Sequence, residues 1–323
     1  MVGHEEATSD APPAGRRWWV LAGTLAAAAL PWLWFAVRDR FGAVTDVVAI
    51  GIPLLVAGAV LGSVLVAVRR RPSALLVGVS ALLAGALAVV GPWVPADLGA
   101  VDGPGVRVAG ANVDDRRSTT PTLTALAPDV LSVAELSPGL RDALTEQYPH
   151  ELFTDGDRPR LGVFSRYPLR LLEPAGPDLP GLRVRVDAPT GPFVLYALHI
   201  PRPWFTSEGE YQTTVVGHHA LVERVAERVR GETLPAVVVG DLNSTDRGRD
   251  YRALVRPGVL GDAMLDTWGA PTSVGKWLPL LGRIDHVLVT GGWCGDDAGH
   301  AALPGSSHRA VLATVGPCAG GGG

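Results

Sequence analysis

One short segment of the chain places a carboxylate and an amide at the end of an apolar run. Asp241 follows Val237-Val238-Val239-Gly240, and Asn243 comes two residues later. Side chains of an extended chain alternate with a period of two, so Asp241 and Asn243 point to the same side. Together they can bind a hard cation and hold a phosphate oxygen. The segment alone is also compatible with an ordinary strand end and a turn-forming asparagine.

Five other polar residues lie at the ends of predicted strands, in a definite order along the chain. Asn112, Glu135 and His199 each end an apolar run, whereas Asp285 and His308 each open one. Carboxylates, amides and imidazoles are the groups that bind metal ions and transfer protons at a phosphate. Each motif alone is weak, but the ordered set is specific.

This ordered set resembles the DNase I-like endonuclease/exonuclease/phosphatase superfamily over nearly all of residues 106–315. The run 162–169, which contains Ser165-Arg166-Tyr167-Pro168, looks like that family's strand and following turn. The resemblance implies a two-sheet α/β sandwich whose strand ends meet at one phosphate-cleaving centre. It also implies hydrolysis of a phosphodiester or phosphomonoester with Mg²⁺ or Mn²⁺ as cofactor. It does not cover the first hundred residues.

The resemblance suggests a metal ligand set and a general base. Glu135, with Asn112 close by, would hold Mg²⁺ or Mn²⁺ through oxygen. His308 would be the general base on the attacking water, because imidazole exchanges a proton near neutral pH. Asp241 would orient or help to activate that water.

Three further roles concern the substrate and the imidazoles. Asn243, and with it Asn112, would contact the substrate, Asn243 by donating to a nonbridging oxygen. His199 would donate to the phosphate or the leaving group. Asp285 would fix one of the imidazoles and raise its basicity.

One position departs from the family pattern. The family usually has Asp immediately before its last His, where it supports the base electrostatically, whereas this chain has Ser307 before His308. Three interpretations stay open: another carboxylate substitutes, the rate is lower, or the domain binds phosphate without turnover. The last is the alternative function, a catalytically silent phosphate-binding module tethered to the membrane.

Short apolar runs and helical patterns must position these residues. A mixed α/β domain with a sheet-built core is predicted from the alternation of such runs with turn clusters. A helix is predicted over 211–229, where apolar residues recur on one face, and a second follows Pro138. The strand patterns lie at 106–113, 130–134, 162–165, 182–186, 193–198, 236–239, 284–289 and 310–315.

The first hundred residues have the composition of a membrane anchor. Apolar runs at 18–37, 47–68 and 73–94 each approach the roughly 20 residues that a helix needs to cross hydrocarbon. We therefore predict a tail at 1–17, three transmembrane helices within 18–100, a catalytic domain at 101–318 and a flexible end at 319–323. Since the spans contain no charge relay, an anchor is favoured over a transporter.

Arginine counts predict the orientation of the anchor. Placing Arg16, Arg17 and the triple-arginine loop 69–71 in the cytoplasm gives five positive residues inside and two, Arg38 and Arg40, outside. The catalytic domain is then extracytoplasmic in a multi-pass membrane protein. In that compartment Cys294 and Cys318 can form a disulfide, although two unrelated thiols are an open alternative.

The net charge and the surface residues limit the choice of substrate. The chain has 28 basic and 32 acidic residues, so it lacks the broad positive field that drives nonspecific DNA binding. The partners expected are a phosphate ester, either nucleic acid or a lipid headgroup, and the membrane; no protein partner is indicated. Trp204 and Phe205 lie in a predicted surface loop at 202–210, where they contact lipid or substrate or pack back onto the domain.

The remaining histidines and one arginine have simpler interpretations. His218 and His219 are adjacent on the predicted long helix, so they are not expected to face one site. His286 should point away from Asp285 across its strand, which favours packing over catalysis. Arg166 either approaches an anionic substrate or stabilises its turn.

Overall fold

The computed structural model describes residues 14–68, 74–96, 98–156, 159–273 and 282–320. This part of the chain begins with three apolar helices. They are α1 (Ala14–Val37), α2 (Ala43–Val68) and α3 (Ala74–Val89), close to the three predicted spans. Two helical stretches, Ala43–Val68 and Ala74–Trp93, are long and apolar enough to cross a membrane. In α1 the apolar stretch among the described residues, Leu21–Val37, is shorter than these two. Three transmembrane helices therefore remain a prediction.

The chain divides into two units. One contains Met1–Val37 and Gly51–Ala88, and the other contains Arg38–Ile50 and Val89–Gly323. All of the predicted site residues belong to the second unit. The triple-arginine loop at 69–71, most of the predicted N-terminal tail and the last three residues lie outside the described residues.

The second unit is a mixed α/β structure, as predicted. Its helices are α4 (Thr120–Leu126), α5 (Pro138–Thr145), α6 (Val215–Arg230) and α7 (Arg249–Leu254). The first seven strands are β1 (Val106–Asn112), β2 (Val130–Ala134), β3 (His150–Phe153), β4 (Leu161–Ser165), β5 (Leu169–Glu173), β6 (Gly181–Ala188) and β7 (Gly191–His199). The others are β8 (Arg202–Trp204), β9 (Gln212–Thr214), β10 (Ala236–Asp241), β11 (Leu260–Asp262), β12 (Asp285–Thr290), β13 (Trp293–Ala302) and β14 (Arg309–Pro317).

Two six-stranded sheets form the sandwich. One has the order β13-β14-β1-β2-β4-β3, and the other has the order β11-β12-β10-β7-β6-β5. In each sheet the central pair is parallel, β1 with β2 and β7 with β10, while the flanking strands run antiparallel to it. The predicted two-sheet α/β fold is therefore observed.

Strand β10 shows how the sequence builds the layers. Val237 and Val239 lie in the core between the two sheets. Ala236 and Val238 point to the other face, where they pack with α6 residues such as Val222. A strand buried on both faces is expected to be a continuous apolar run, because each alternate side chain contacts a different core.

All eight predicted strands lie at observed strands. The helix predicted over 211–229 begins later, at Val215, because Thr214 caps it by accepting a hydrogen bond from the Gly217 amide at 3.0 Å. Residues just before the cap form β9, which pairs with β8, so part of the predicted loop 202–210 is a short strand. Trp204 and Phe205 beside it are exposed, at 57% and 70%.

The last two strands bring the two cysteines together. Cys294 and Cys318 form a disulfide in the structure, which resolves the alternative that the sequence left open. Cys294 is in β13 and Cys318 directly follows β14, its antiparallel neighbour. The bridge therefore ties the chain end to the edge of the sheet.

Candidate active site

The predicted site residues lie at one edge of the sandwich. Asn112 ends β1, which is parallel to β2 in one sheet. Asp241 ends β10, which is parallel to β7 in the other sheet. His199 ends β7 and lies opposite Asp241 in the register. Glu135 directly follows β2, which is paired in parallel with β1. The carboxyl ends of parallel strands meet at the same edge, which is why residues far apart in sequence converge here.

The antiparallel strands contribute from their opposite ends. Asp285 begins β12 and lies opposite Asp241 in the register. His308 comes directly before β14, which runs antiparallel to β1. An antiparallel neighbour begins where a parallel strand ends, so both residues reach the same edge.

Asp241 lies at the centre of the cluster. Its Oδ2 accepts a hydrogen bond from the Asn112 amide at 3.0 Å. The same oxygen is 3.6 Å from His199 Nε2 and 3.8 Å from His308 Nε2. Glu135 Oε1 is 3.8 Å from His199 Nε2 and 3.4 Å from Asn112 Nδ2. These distances place two carboxylates and two imidazoles within reach of one small ligand.

Asp285 supports His308 directly. The Nδ1 atom of His308 lies 3.1 and 3.2 Å from the two carboxylate oxygens of Asp285. Asp285 is buried, and His308 Nε2 faces Asp241. Because a carboxylate at Nδ1 fixes the ring orientation, the other nitrogen is left to face a ligand.

The turn that follows β10 is held by its own side chains. The Asn243 amide nitrogen donates to Asp241 Oδ1 at 2.8 Å, and its side-chain amide donates to the Ile200 carbonyl at 2.9 Å. Gly240 has φ +135°, and a Cβ there would lie 2.0 Å from the Leu198 carbonyl oxygen. A glycine is therefore required where the strand turns towards the site.

Burial and neighbouring charges shift the pKa of the groups in the site. Burial raises the pKa of Glu135, and the nearby charges of Asp114 and Asp241 raise it further. Burial also raises the pKa of Asp241, opposed in part by His308. Burial lowers the pKa of His308, but Asp285 and Asp241 outweigh burial and raise it to about 10. Burial and neighbouring carboxylates thus disfavour the charged forms of Glu135 and Asp241.

This donor set fits a hard divalent cation. Side-chain atoms of Asp241, Asp285 and His308 lie within 4.8 Å of one another, an arrangement that can hold a metal ion. Glu135 adds a fourth group with carboxylate oxygens close by. Asn112, a predicted ligand, faces Glu135 with its amide nitrogen, while its oxygen accepts from the Asp114 amide at 3.1 Å. As arranged, Asn112 orients the carboxylates, and ligation through its oxygen would require the amide to turn.

A cavity of about 250 Å³ opens at this cluster. It is lined by six further residues that the sequence did not indicate as site residues: Asp114, Asp115, Arg160, Arg202, Glu210 and Tyr211. The Tyr211 hydroxyl donates to the His199 carbonyl, and its ring lies 4.4 Å from the imidazole of His199. Asp114 and Asp115 closely follow Asn112, so an acidic pair after the first motif was a usable signal. Arg160, Arg202 and Tyr211 come from loops or short strands that show no pattern in the sequence.

Three other predictions concern residues away from this cavity. His286 is fully buried and its Nε2 faces the Arg283 carbonyl at 3.1 Å, as its packing role predicted. Arg166 donates to the Ala127 carbonyl at 3.1 Å, so it stabilises its turn. The expectation that His218 and His219 do not face one site is wrong, because both contact Asp250. A carboxylate has two oxygens, and adjacent residues of a helix can each reach one of them.

The sequence profile of the Endonuclease/Exonuclease/phosphatase family matches residues 107–308, which includes every site residue named above. The chain belongs to this family. Its members hydrolyse phosphoesters. The profile match extends from β1 to β13 and leaves β14 and the apolar helices outside.

Several solved structures are similar to this chain. A D. rerio TDP2 humanized by 14 mutations matches with a TM-score of 0.52 and 14% identity, over 65% of this chain and 98% of the other. Family proteins from Bacteroides vulgatus and Beutenbergia cavernae match with TM-scores of 0.49 and 0.46. They are 16% and 21% identical, over 66% of this chain and 99% and 72% of theirs. A comparison with curated proteins gives no significant match.

Proposed function

We propose that this chain is a metal-dependent phosphoesterase whose catalytic domain is tethered to a membrane and lies outside the cytoplasm. One observation carries the proposal: Asp241 faces Asn112, His199 and His308 at a single cavity, with Glu135 alongside. A purely structural role would not require buried acids and imidazoles to converge. Groups of opposite charge at a cavity are those that bind and cleave a phosphate ester.

The residues around the cavity have different roles in hydrolysis. His199 donates a hydrogen bond to the phosphate. The Asn243 side-chain amide donates to the Ile200 carbonyl at 2.9 Å and to Asp241 Oδ2 at 3.2 Å, so donation to the phosphate would require it to turn. Arg202 and Arg160, which is paired with Asp115, lie on the cavity wall and attract the negative charge of the phosphate. Asp241 accepts a hydrogen bond from the attacking water and so orients it. His308 takes the proton of that water at Nε2, while Asp285 holds Nδ1.

The cation would lie beside Glu135 and Asp241, because Asp285 and His308, which could also bind a metal, contact each other at 3.1 Å. Mg²⁺ or Mn²⁺ bound there would neutralise charge that builds on the phosphoryl oxygens during hydrolysis. A pKa of about 10 keeps His308 protonated at neutral pH while the carboxylates are unneutralised. His308 becomes a base only when that negative field is reduced, so its role and the cation site depend on each other.

The alternative, a silent phosphate-binding module, depended on Ser307. In the structure the carboxylate partner of His308 is Asp285, so a serine before His308 leaves the imidazole supported. This contact favours the enzyme over the binding module. Experiment can separate the two hypotheses, because the binding module is expected to bind a phosphate ester without hydrolysing it.

One observation supports an extracytoplasmic domain. Disulfides persist in oxidising compartments, and Cys294 is bonded to Cys318.

The substrate is a nucleic acid or a lipid headgroup, and an exposed aromatic pair favours the lipid. The rings of Trp204 and Phe205 lie 5.4 Å apart and are mostly exposed. Arg202, two residues before Trp204, lines the cavity. Aromatic rings partition into the interface of a membrane, so the pair would bring a headgroup to the arginine.

The test is a substrate panel with the full chain in detergent or lipid. DNA, RNA, phospholipid vesicles and soluble phosphate esters are each assayed with Mg²⁺, Mn²⁺ or EDTA. A Trp204→Ser/Phe205→Ser variant should lose hydrolysis of vesicles and keep that of soluble esters. Trp268→Ser is the matched control, because Trp268 is also exposed, at 63%, but does not line this cavity. Absence of turnover on every class would reject the proposal.

A further inference from the structure

A buried cluster of two histidines and one aspartate lies outside the cavity. His218 Nδ1 lies 2.6 Å from Asp250 Oδ2, and His219 Nδ1 lies 2.5 Å from Asp250 Oδ1. His218 is fully buried, whereas 27% of the His219 side chain is exposed. The cluster joins α6, which contains both histidines, to the first turn of α7, which contains Asp250.

His218 also contacts the segment that bears the catalytic carboxylate. Its Nε2 lies 3.0 Å from the carbonyl oxygen of Leu242, the residue between Asp241 and Asn243. The Leu242 amide donates to the Ile284 carbonyl at 2.9 Å on its other side. The backbone of Leu242 is therefore held at both its donor and its acceptor.

The turn needs such external support. Gly240 and Asn243 both have positive φ, at +135° and +48°, and the second of these is a non-glycine residue. Backbone in these regions persists only where the surroundings hold it. The same turn carries the Asn243 amide that donates to Asp241 Oδ1 at 2.8 Å. A shift at Leu242 would thus move Asp241 and Asn243, which both line the cavity.

Two acceptors hold the two ring nitrogens of His218. Both ring nitrogens of His218 face acceptors, a carboxylate oxygen and a carbonyl oxygen, so both bonds form only when both nitrogens carry hydrogen. Burial alone would raise the pKa of Asp250, but the hydrogen bonds and charges of the two histidines hold it well below its ordinary value. Asp250 thus holds the ring of His218 at Nδ1 and directs Nε2 towards the Leu242 carbonyl oxygen.

We propose that His218, held by Asp250, is a positioning residue that fixes the Asp241–Asn243 turn through the Leu242 carbonyl. The proposal rests on the proposed function, because the turn matters for catalysis only if Asp241 and Asn243 act on a phosphate. His218 itself does not touch the cavity. Its effect should therefore appear in turnover and in the protection of the turn, with little change in substrate affinity.

Two substitutions of His218 separate its two hydrogen bonds. In His218→Gln the side-chain amide reaches the position of Nε2 and can donate to the Leu242 carbonyl. In His218→Asn the shorter amide reaches the position of Nδ1, so it keeps Asp250 and loses Leu242. His219→Asn is the matched control, since His219 shares Asp250 and its ring bonds to Asp250 and not to Leu242.

Two readouts are measured on the full chain. His218→Asn should lower kcat about tenfold or more with KM nearly unchanged, because small displacements of catalytic groups cost large factors. His218→Gln should restore most of kcat, and His219→Asn should stay near wild type. Hydrogen exchange of peptides spanning residues 240–244 should be faster in His218→Asn than in wild type and His218→Gln.

The outcomes distinguish this proposal from the proposed function. Equal kcat and equal exchange in His218→Asn and His218→Gln would overturn the positioning role, even if both variants are less stable than wild type. If wild type shows no turnover, the proposed function fails, and the exchange measurement on the cation-free protein still decides whether His218 holds the turn. The positioning role would also be overturned if hydrogen exchange of residues 240–244 were as fast in His219→Asn as in His218→Asn.

Discussion

Ser307 donates two hydrogen bonds to one oxygen of Asp114: its hydroxyl lies 2.8 Å and its backbone nitrogen 2.7 Å from Oδ2. Asp114 lines the cavity, and its charge contributes to the raised pKa of Glu135. The position before His308 is thus occupied by a donor that holds a carboxylate, not by a carboxylate itself. This arrangement explains how the site can retain its negative charge without the usual aspartate.

The Ser307→Asp variant should therefore be neutral or harmful. A second carboxylate next to Asp114 would repel it, and His308 already has Asp285 at 3.1 Å. We expect unchanged or lower kcat/KM and a lower melting temperature, with Ser307→Ala as the control for loss of the hydroxyl. A Ser307→Asp/Asp114→Ser double variant should recover stability, because it exchanges donor and acceptor. A clear rise in rate for Ser307→Asp alone would show that the serine is merely a poorer partner of His308.

Asp285→Asn should reduce turnover while keeping the shape of the site. Asparagine can still accept a hydrogen bond from His308 Nδ1, but it supplies no negative charge to stabilise the imidazolium. We expect kcat to fall by roughly 10²-fold or more, as for loss of general-base function. Steady-state kinetics with the best substrate of the panel measure this. Full activity in the variant would mean that Asp285 does not support the base.

The stability of the cation-free protein should depend on pH through His308. The folded pKa of about 10 lies above the ordinary value of 6.5, so the stabilisation is fully present below pH 6.5 and is lost as pH rises through 10. In EDTA, wild type should exceed His308→Gln in the free energy of unfolding by more at pH 6 than at pH 10. Denaturant unfolding of both proteins at the two pH values tests this. A difference that does not change with pH would contradict the assigned Asp285–His308 pairing.

The two cysteines should be oxidised in cells. Because the predicted orientation exposes Cys294 and Cys318 to an oxidising compartment, denatured wild type should take up a thiol reagent only after reduction. Cys294→Ser should take up the reagent without reduction, as the positive control. A reporter fused after Gly323 should register the exterior. Free thiols in wild type together with a cytoplasmic reporter signal would overturn the localisation.

Much of the fold could be predicted because the central strands are buried on both faces. An apolar run such as Val237-Val238-Val239 fits few structures other than a buried strand. Each such run ends in a polar residue where the strand reaches the edge of its sheet. The edge strand β3 was missed because its four residues are only half-buried and alternate weakly. Strand β13 was missed because it contains Asp296, Asp297 and glycines around an irregularity in pairing.

The residues of the candidate site were accessible to sequence reasoning to the extent that they end strands. Glu135, Asp241 and His308 follow or precede regular elements, so their convergence follows from strand direction. Arg160 and Tyr211 come from irregular segments, where the backbone path depends on tertiary contacts that no local pattern encodes. The contact of His218 and His219 with Asp250 likewise depends on how α6 and α7 pack, which their helical spacing alone does not fix.

The most direct test of the account measures cation binding and hydrolysis in the same preparations. Wild type, Glu135→Gln and Glu146→Gln are titrated with Mn²⁺ by calorimetry and assayed on the best substrate. Glu146 is an exposed glutamate outside the cavity and serves as the matched control. We predict that wild type and Glu146→Gln bind Mn²⁺ and hydrolyse the substrate, and that Glu135→Gln loses both, because it removes a charged oxygen ligand. Equal Mn²⁺ affinity and equal turnover in wild type and Glu135→Gln would contradict a metal-dependent phosphoesterase centred on Glu135 and Asp241.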